Sequence, residues 1–304
     1  MNPSDRRIVI AGGSGRVGRR LAEHLAASGW NPVVLTRRAG TVALPEGVAS
    51  QGWELLMEVL EGAAGVVNLA GEGIADRRWN AARKETLRTS RLEPTRRIVE
   101  ALERCSRRPP VLVSASATGF YGDRPRPALD EQAEPGMGFL PELCQAWEAE
   151  ARKAEALGVR VVLPRLGVVL AREGGALPTM ARPVRAFAGA LLGHGRQGLP
   201  WIHIDDLTAL LTRALEDPAW SGPVNATAPE TLDHAAFMHA LARRLGRPLW
   251  PIPAALTRAA LRVAVGEMAE ALLLKGAFVH PTRPLELGFT FRFPTAAAAL
   301  EDLL

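Results

Sequence analysis

Three glycines close to the start of the chain, Gly12, Gly15 and Gly18, have the spacing of a phosphate-binding turn. The apolar residues 8–11 precede this turn, and apolar residues at helical spacing follow it, which predicts a strand, a turn and an amphipathic helix. Because glycine lacks a Cβ atom, the backbone can approach a pyrophosphate closely while the first N–H groups of the helix face the anion. The pattern therefore predicts a dinucleotide site, and its alternative is an ordinary glycine-rich turn.

Two arginines, Arg37 and Arg38, follow the second predicted strand, residues 32–36, and no carboxylate occurs between positions 33 and 41. An acidic residue at this place selects NAD by binding the ribose hydroxyl, whereas a basic residue accommodates a 2′-phosphate. Guanidinium groups bind a phosphate dianion through charge-assisted hydrogen bonds. We therefore expect NADP(H) as the cofactor. The alternative is that these arginines are merely solvated at the end of a strand.

Two further apolar segments, residues 65–69 and 111–113, predict buried strands that end in small or polar residues. The carboxyl ends of parallel strands form the edge of the sheet at which ligands bind, so these residues are expected beside the cofactor. The cofactor residues predicted from the turn and from the strand ends are Gly12, Ser14, Gly15, Arg16, Val17, Gly18, Thr36, Arg37, Arg38, Asn68, Leu69, Ala70, Gly71, Ser114 and Ala115.

Strand and helix patterns alternate along most of the chain, which predicts an α/β fold with a parallel sheet covered by helices. A length of 304 residues with 47% hydrophobic content is enough for such a core and a smaller lobe. We expect a doubly wound sheet of the Rossmann type, formed by residues 1–170 and 200–228. Residues 171–199 and 229–304 are expected to form a smaller, mostly helical lobe, with one helix over residues 256–275.

Composition argues against several classes of protein. No apolar run approaches the roughly 18 residues that a membrane span needs, and no secretory segment precedes the first strand, so we expect a cytoplasmic protein without a membrane partner. The two cysteines, Cys105 and Cys144, offer no disulfide framework and no metal-ligand spacing, so no metal is expected. The net charge is +5, but arginines alternate with acidic residues along most of the chain, so no nucleic-acid partner is expected either.

The motifs resemble those of the extended short-chain dehydrogenases/reductases, the group that contains sugar-nucleotide epimerases and dehydratases. The segments that carry this resemblance are the glycine turn and residues 68–71, 114–122 and 201–206. An atypical epimerase-like branch of largely undefined substrate is similar over more of the chain, at residues 77–79, 89–91, 143–148, 165–170 and 195–197. From about Pro253 onward the chain resembles a small C-terminal domain of unknown function that accompanies this branch.

The catalytic pattern that the resemblance implies is broken in this chain. Family members that transfer hydride use a serine or threonine, a tyrosine, and a lysine four residues after the tyrosine, so that both side chains share one helix face. The only tyrosine here is Tyr121, and Pro125 stands four residues later. The family positions of the tyrosine and lysine fall on Cys144 and Glu148, on a helix predicted over residues 140–157.

Four residues remain as catalytic candidates, and for three of them a structural role is the alternative. Ser116, at the position of the family serine, is expected to hydrogen-bond a substrate carbonyl or hydroxyl. Tyr121 is either a proton donor or an aromatic side chain that fills space in a loop. Cys144 is either reactive or an inert buried thiol, and Glu148 either takes part in chemistry or simply pairs with an arginine.

The resemblance also implies cofactor contacts from a strand predicted over residues 159–169, namely from Pro164, Leu166 and Val168. Arg165, in the same strand, would hold either a substrate anion or a structural carboxylate such as Asp205. The glycine-rich segment 174–198 is typical of a mobile substrate loop, in which Arg196 and Gln197 would grip a polar head group; the alternative is a solvated connector. His203, Asp205 and Asp206 are compatible with a catalytic triad, but the resemblance implies that the corresponding aspartate caps the helix that follows, so a structural role is expected.

These inferences together predict an NADP(H)-binding, epimerase-like protein that acts as an oxidoreductase or epimerase on a small polar molecule without the usual tyrosine and lysine. The alternative is a catalytically silent protein that binds NADP(H) as a sensor or scaffold. Either a monomer or a homodimer is compatible with the sequence.

Overall fold

The computed structural model describes residues 6–40 and 43–304. Positions 1–5 of the predicted dinucleotide-binding domain, and Thr41 at the end of the stretch searched for a carboxylate, lie outside this range. The strands of the structure are β1 (Arg7–Ala11), β2 (Asn31–Leu35), β3 (Ala49–Gln51), β4 (Gly65–Asn68), β5 (Val111–Ser114), β6 (Ser116–Ala117), β7 (Arg124–Leu129), β8 (Arg160–Leu166), β9 (Val168–Leu170), β10 (Trp201–His203), β11 (Gly222–Ala226) and β12 (Ala277–Val279).

Helices lie between most of these strands. They are α1 (Arg16–Ala27), α2 (Leu56–Leu60), α3 (Ala81–Arg104), α4 (Phe139–Arg152), α5 (Ala176–Arg185), α6 (Ile204–Glu216), α7 (His234–Leu245), α8 (Ala254–Val265), α9 (Thr282–Glu286) and α10 (Ala296–Leu303). None of the helices in the described ranges is both long enough and apolar enough to cross a bilayer.

The main sheet is parallel, in the strand order β11-β8-β5-β4-β1-β2-β3, with β6 paired to β8. The chain runs outward from β1 to β3 and then returns to place β4 on the other side of β1. This reversal creates a crevice at the carboxyl ends of β1 and β4, which is where ligands bind in open α/β sheets. The predicted doubly wound α/β fold is confirmed.

The sheet is buried on both faces, as its strand sequences require. In β1, Ile8 and Ile10 pack with α1 and α6 on one face, whereas Val9 and Ala11 pack with α2 and α3 on the other. Alternate side chains of a strand point to opposite faces, so this short apolar run serves two cores. A third core joins α5, α7 and α10 around Trp201 and forms the helical part beside the sheet.

Two predicted elements are broken by local backbone geometry, and one predicted loop contains a helix. The strand expected over residues 159–169 is two strands, because it bends at Gly167, where a Cβ atom would lie 2.8 Å from the carbonyl oxygen of Pro200. The helix expected over residues 256–275 ends at Val265, since Gly266 has φ of 65°. The segment 174–198 is not simply a loop, because it contains α5. The helix predicted over residues 140–157 is α4, continued by a 3-10 turn.

Candidate dinucleotide and catalytic site

A cleft of about 980 Å³ lies at the carboxyl ends of β1, β2 and β4, at the reversal of the strand order. Nine of the predicted cofactor residues line it: Gly12, Ser14, Gly15, Thr36, Arg37, Arg38, Leu69, Ala70 and Gly71. The other residues that line it were not predicted as cofactor contacts; they are Arg19, Leu35, Trp53, Glu72, Thr89, Ser90, Glu93, Pro94 and Arg97.

The glycine turn forms one end of this cleft and requires residues without side chains. Gly12 has φ of 77°, and a Cβ atom there would lie 2.5 Å from the carbonyl oxygen of Leu69. A Cβ atom on Gly18 would lie 2.5 Å from the Cα atom of Gly13, so the start of α1 packs directly against the turn. Gly15 provides no side-chain cap for α1, and the first turn of the helix contains no acidic residue. The helix start therefore leaves N–H groups for an anion, and the turn fits a pyrophosphate.

The other end of the cleft is rich in guanidinium groups. Arg37 and Arg38 line it just beyond β2, and Arg97 lines it from α3. Arg97 lies over the ring of Trp53 at 4.9 Å and donates a hydrogen bond to its carbonyl oxygen at 3.2 Å. This wall is therefore both aromatic and cationic, which suits an adenosine that carries a phosphate.

The spacing of residues along α3 would have allowed the α3 side of the cleft to be predicted. Ser90, Glu93, Pro94 and Arg97 follow the i, i+3, i+4, i+7 spacing of one helix face, and all four line the cleft. Because most of these residues are polar, they do not resemble the core-facing side of a helix. Their spacing nevertheless shows that they share one face of α3.

Asn68 does not line the cleft but holds its edge in place. Its buried amide donates hydrogen bonds to Thr95 Oγ1 at 2.8 Å and to Ser114 Oγ at 3.2 Å, and its Oδ1 accepts one from the N–H of Ala70 at 3.2 Å. The ends of β4 and β5 are thereby tied to α3. Cofactor contacts from the remaining predicted residues outside the cleft lining stay predictions; these are Arg16, Val17, Gly18, Asn68, Ser114, Ala115, Pro164, Leu166 and Val168.

Three of the catalytic candidates lie in a buried polar network beyond the end of β5. Ser116 Oγ donates to Glu148 Oε1 at 2.7 Å, and Arg165 donates to the same carboxylate from Nε at 2.9 Å and from Nη2 at 3.1 Å. The side chains of Ser116, Glu148 and Arg165 are all buried. Glu148 thus pairs with an arginine, one of the two alternatives that its sequence position left open. Arg165 does not pair with Asp205, which accepts a hydrogen bond from Arg20 instead.

Tyr121 belongs to the same network and is fully buried. Its hydroxyl donates to Asn225 Oδ1 at 2.6 Å and accepts from Arg165 Nη1 at 3.0 Å, while Arg165 also lies 3.5 Å above the ring of Phe120. Burial raises the pKa of Tyr121 to about 12. A buried phenol that is so weak an acid, and whose proton is already donated to Asn225, favours the structural alternative for Tyr121 over the proton donor.

Glu131 closes the network on the side of β11. Its Oε1 accepts a hydrogen bond from the N–H of Asn225 at 2.9 Å, and its Oε2 accepts one from the N–H of Arg283 at 3.2 Å. Burial raises the pKa of this carboxyl above its ordinary value. Glu131 therefore connects β11 to α9 by accepting backbone hydrogen bonds.

Cys144 stands one helical turn before Glu148 and is an unreactive thiol by its setting. It is buried, and its Sγ lies 3.7 Å from the carbonyl oxygen of Ala117. Burial raises the pKa of the Cys144 thiol to about 12, so the nucleophilic thiolate is not populated near neutral pH. This placement favours the inert alternative.

The expected aspartate cap of the helix α6 is wrong. The helix α6 is capped by His203, whose Nδ1 accepts a hydrogen bond from the N–H of Asp205 at 3.1 Å, and not by an aspartate. Asp206 instead accepts hydrogen bonds from the N–H groups of Arg292 and Phe293, which anchors the C-terminal segment. Gln197 Nε2 donates hydrogen bonds to the carbonyl oxygens of Leu192 and Leu273, which fixes the glycine-rich segment. Arg196 is exposed, and its contact with a head group stays a prediction.

Comparison with known proteins places this fold and site in a family. The family model of the NAD dependent epimerase/dehydratase family matches residues 8–226, and that of a domain of unknown function, DUF1731, matches residues 256–303. The chain belongs to the NAD dependent epimerase/dehydratase family. Within it, the chain is 36% identical to the chloroplastic epimerase family protein SDR39U1 homolog of Arabidopsis thaliana, covering 99% of this chain and 87% of that protein.

Two other members of the epimerase family are similarly related. Epimerase family protein Mb2239 of Mycobacterium bovis is 38% identical, with 96% of each chain covered. The crystal structure of human epimerase family protein SDR39U1, isoform 2, contains NADPH; it is 32% identical, covers 98% of each chain and has a TM-score of 0.88. The resemblance inferred from the motifs is thereby confirmed, including the C-terminal domain of unknown function.

Proposed function

We propose that this protein is an NADP(H)-binding oxidoreductase of the epimerase family that acts on a small polar substrate without a tyrosine–lysine pair. The observation that carries the cofactor assignment is the cleft, which joins an uncapped helix start at Gly15 to the guanidinium groups of Arg37 and Arg38. Residues 36–40, which follow β2, supply no carboxylate for a ribose 2′-hydroxyl. The NADPH in the crystal structure of the human relative supports the same assignment.

The buried network offers a path for a proton in this proposal. When bound, the nicotinamide accepts or donates a hydride. Because Ser116 Oγ already donates its proton to Glu148, its oxygen can accept a hydrogen bond from a substrate hydroxyl. In the oxidative direction Ser116 would take the substrate hydroxyl proton and pass its own proton to Glu148. Arg165 donates two hydrogen bonds to Glu148 and so holds the carboxylate in place to accept from Ser116.

A second candidate function is NADP(H) binding without turnover, as in a sensor. Two observations favour it. Ser116, Glu148 and Arg165 satisfy one another's hydrogen bonds. Cys144, at the family position of the tyrosine, is a protonated thiol. In this case the network serves only to hold β6, β8 and α4 together.

Turnover measurements with the purified protein separate the two candidates. A panel of small polar alcohols with NADP⁺, and of the matching carbonyl compounds with NADPH, is followed by the absorbance of the reduced nicotinamide. If the protein is an oxidoreductase, we expect turnover by the wild type and a rate that is lower by roughly 100-fold or more in Ser116→Ala. Ser106→Ala, in the loop after α3, is the matched control and retains full activity. NADPH binding without turnover on any substrate, or equal rates in both variants, contradicts the catalytic part of the proposal.

A further inference from the structure

Arginines alternate with acidic residues along most of this chain, but not in two of its segments. The segments 174–204 and 234–266 contain eight arginines and no acidic residue, while the whole chain has a net charge of +5. The rest of the chain therefore has a net negative formal charge. The eight residues are Arg182, Arg185, Arg196, Arg243, Arg244, Arg247, Arg258 and Arg262.

The structure packs these two segments against each other. The N–H of Trp250 donates to the carbonyl oxygen of Gly189 at 2.8 Å, and its indole Nε1 donates to that of Phe187 at 2.6 Å. The N–H of Gly193 donates to Thr257 Oγ1 at 3.1 Å. The two segments thus lie side by side, and we call their exposed side chains together the basic face.

Two of the eight arginines, Arg258 and Arg262, form ion pairs with Glu270. Within the described ranges, the other six form no ion pair with an acidic residue. These six arginines, which include Arg182, Arg185, Arg196 and Arg243, are exposed to solvent. A charge concentrated in this way attracts an extended anionic partner.

The basic face also exposes large apolar side chains. Phe187 is 54% exposed, Trp250 is 52% exposed, and Ile252 lies beside them at 45%. Phe187 has φ of 57°, a conformation that L-residues rarely adopt, and Arg247 lies 4.4 Å above its ring. The backbone therefore directs an aromatic side chain outward at an energetic cost, and such strained residues cluster at functional sites.

The helix α8 continues this apolar surface. It has no buried residue, and Leu256 and Val263, two turns apart on one face, are 62% and 77% exposed. The smaller residues between them on that face, Ala259 and Ala260, are exposed as well. The exposed face of α8 is thus apolar, the reverse of what a surface helix of a globular protein normally presents.

We propose that the basic face binds the surface of a membrane that contains anionic lipids. Tryptophan and phenylalanine beside aliphatic side chains insert at the boundary between head groups and acyl chains, and the surrounding arginines contact the anionic head groups. Such peripheral binding uses a face and needs no membrane span. It replaces the expectation of no membrane partner and is independent of the proposed function.

Two other occupants fit the basic face less well. A second copy of the chain would bring two sets of unpaired arginines together, which is electrostatically unfavourable. A nucleic acid would satisfy the arginines but would leave Leu256, Val263 and Ile252 against a polar backbone. The combination of charge and exposed aliphatic surface is what a lipid interface satisfies.

Vesicle flotation with the full chain tests the proposal. Vesicles of phosphatidylcholine alone are compared with vesicles of equal parts phosphatidylcholine and phosphatidylglycerol, at low and high salt. We expect flotation with the anionic vesicles only, and its loss at high salt. Leu256→Glu combined with Val263→Glu is expected to reduce binding by about tenfold or more. Met137→Glu, which changes a 97% exposed residue outside the basic face, is the control and binds as the wild type does.

A second pair of variants tests the charge. Arg185→Glu and Arg104→Glu each reverse one exposed arginine in the last turn of a helix, the first inside the basic face and the second outside it. Only Arg185→Glu is expected to weaken anionic-vesicle binding, by roughly tenfold. Thermal unfolding confirms that every variant is folded. The proposal is overturned by equal binding to both vesicle types or to neither. It is also overturned by equal effects of the two reversals, by a dimer that Leu256→Glu dissociates, or by binding of a DNA duplex in place of vesicles.

Discussion

Arg165 and Glu148 form a bidentate, almost fully buried ion pair. The arginine comes from β8 and the glutamate from α4, and the same carboxylate also accepts a hydrogen bond from the hydroxyl of Ser116. The ion pair thus joins β8, β6 and α4 in one buried network. Its charges are compensated inside the protein, so each partner is needed to keep the other from being buried alone.

The first prediction concerns this pair. Glu148→Gln removes the charge that compensates Arg165, and we expect the free energy of unfolding to fall by about 3–5 kcal/mol. Glu155→Gln breaks the solvent-exposed pair with Arg152 and is expected to cost at most about 1 kcal/mol. Denaturation in urea measures both variants. Equal costs for the two would show that the buried pair is not structurally important.

The second prediction uses the fact that Tyr121 is the only tyrosine of the chain. Ultraviolet absorbance titration of the native protein is expected to show ionisation near pH 12, compared with the ordinary value of 10.0 in the unfolded chain. Because the native state holds this proton more tightly, stability is retained below pH 10 and falls as the pH rises from 10 toward 12. A native midpoint near 10 would mean that the hydroxyl is open to solvent.

The third prediction tests the fit of the glycine turn. Gly12→Ala places a Cβ atom against the backbone of Leu69, so we expect NADPH binding to be lost. Gly246→Ala is a matched control, because Gly246 also has a positive φ, of 63°, but no atom lies within 4 Å of the added Cβ atom. It is expected to cost about 1 kcal/mol of stability and to bind NADPH normally. Loss of binding in both variants would attribute the effect to backbone strain alone.

The fourth prediction concerns the choice between NADPH and NADH. Arg37→Asp combined with Arg38→Ala removes two cationic groups and adds an acceptor for a ribose hydroxyl. We expect NADPH affinity to fall by roughly 10- to 100-fold and NADH affinity to hold or rise. Arg104→Asp, at the far end of α3, is the control for a general loss of positive charge. An unchanged preference in the double variant would show that other groups bind the 2′-phosphate.

The sequence allowed the cleft to be predicted because its main signals are local. The spacing of Gly12, Gly15 and Gly18 and the arginines after β2 each lie within one short segment. The partner of Glu148 was not predictable, because the arginine that reaches it lies 17 positions away on another element and the chain has many arginines. The basic face was not predictable for a similar reason. Its two acid-free segments are visible in the sequence, but only the fold joins Phe187 to Trp250.

The cofactor assignment is decided by calorimetric titration of nucleotide-stripped protein with NADPH and with NADH, side by side. We expect tight binding of NADPH and binding of NADH that is weaker by roughly tenfold or more, since the 2′-phosphate meets guanidinium groups at the end of β2. Binding of neither nucleotide would contradict the cofactor assignment, and with it the proposed oxidoreductase. Equal binding of the two would contradict the role of Arg37 and Arg38.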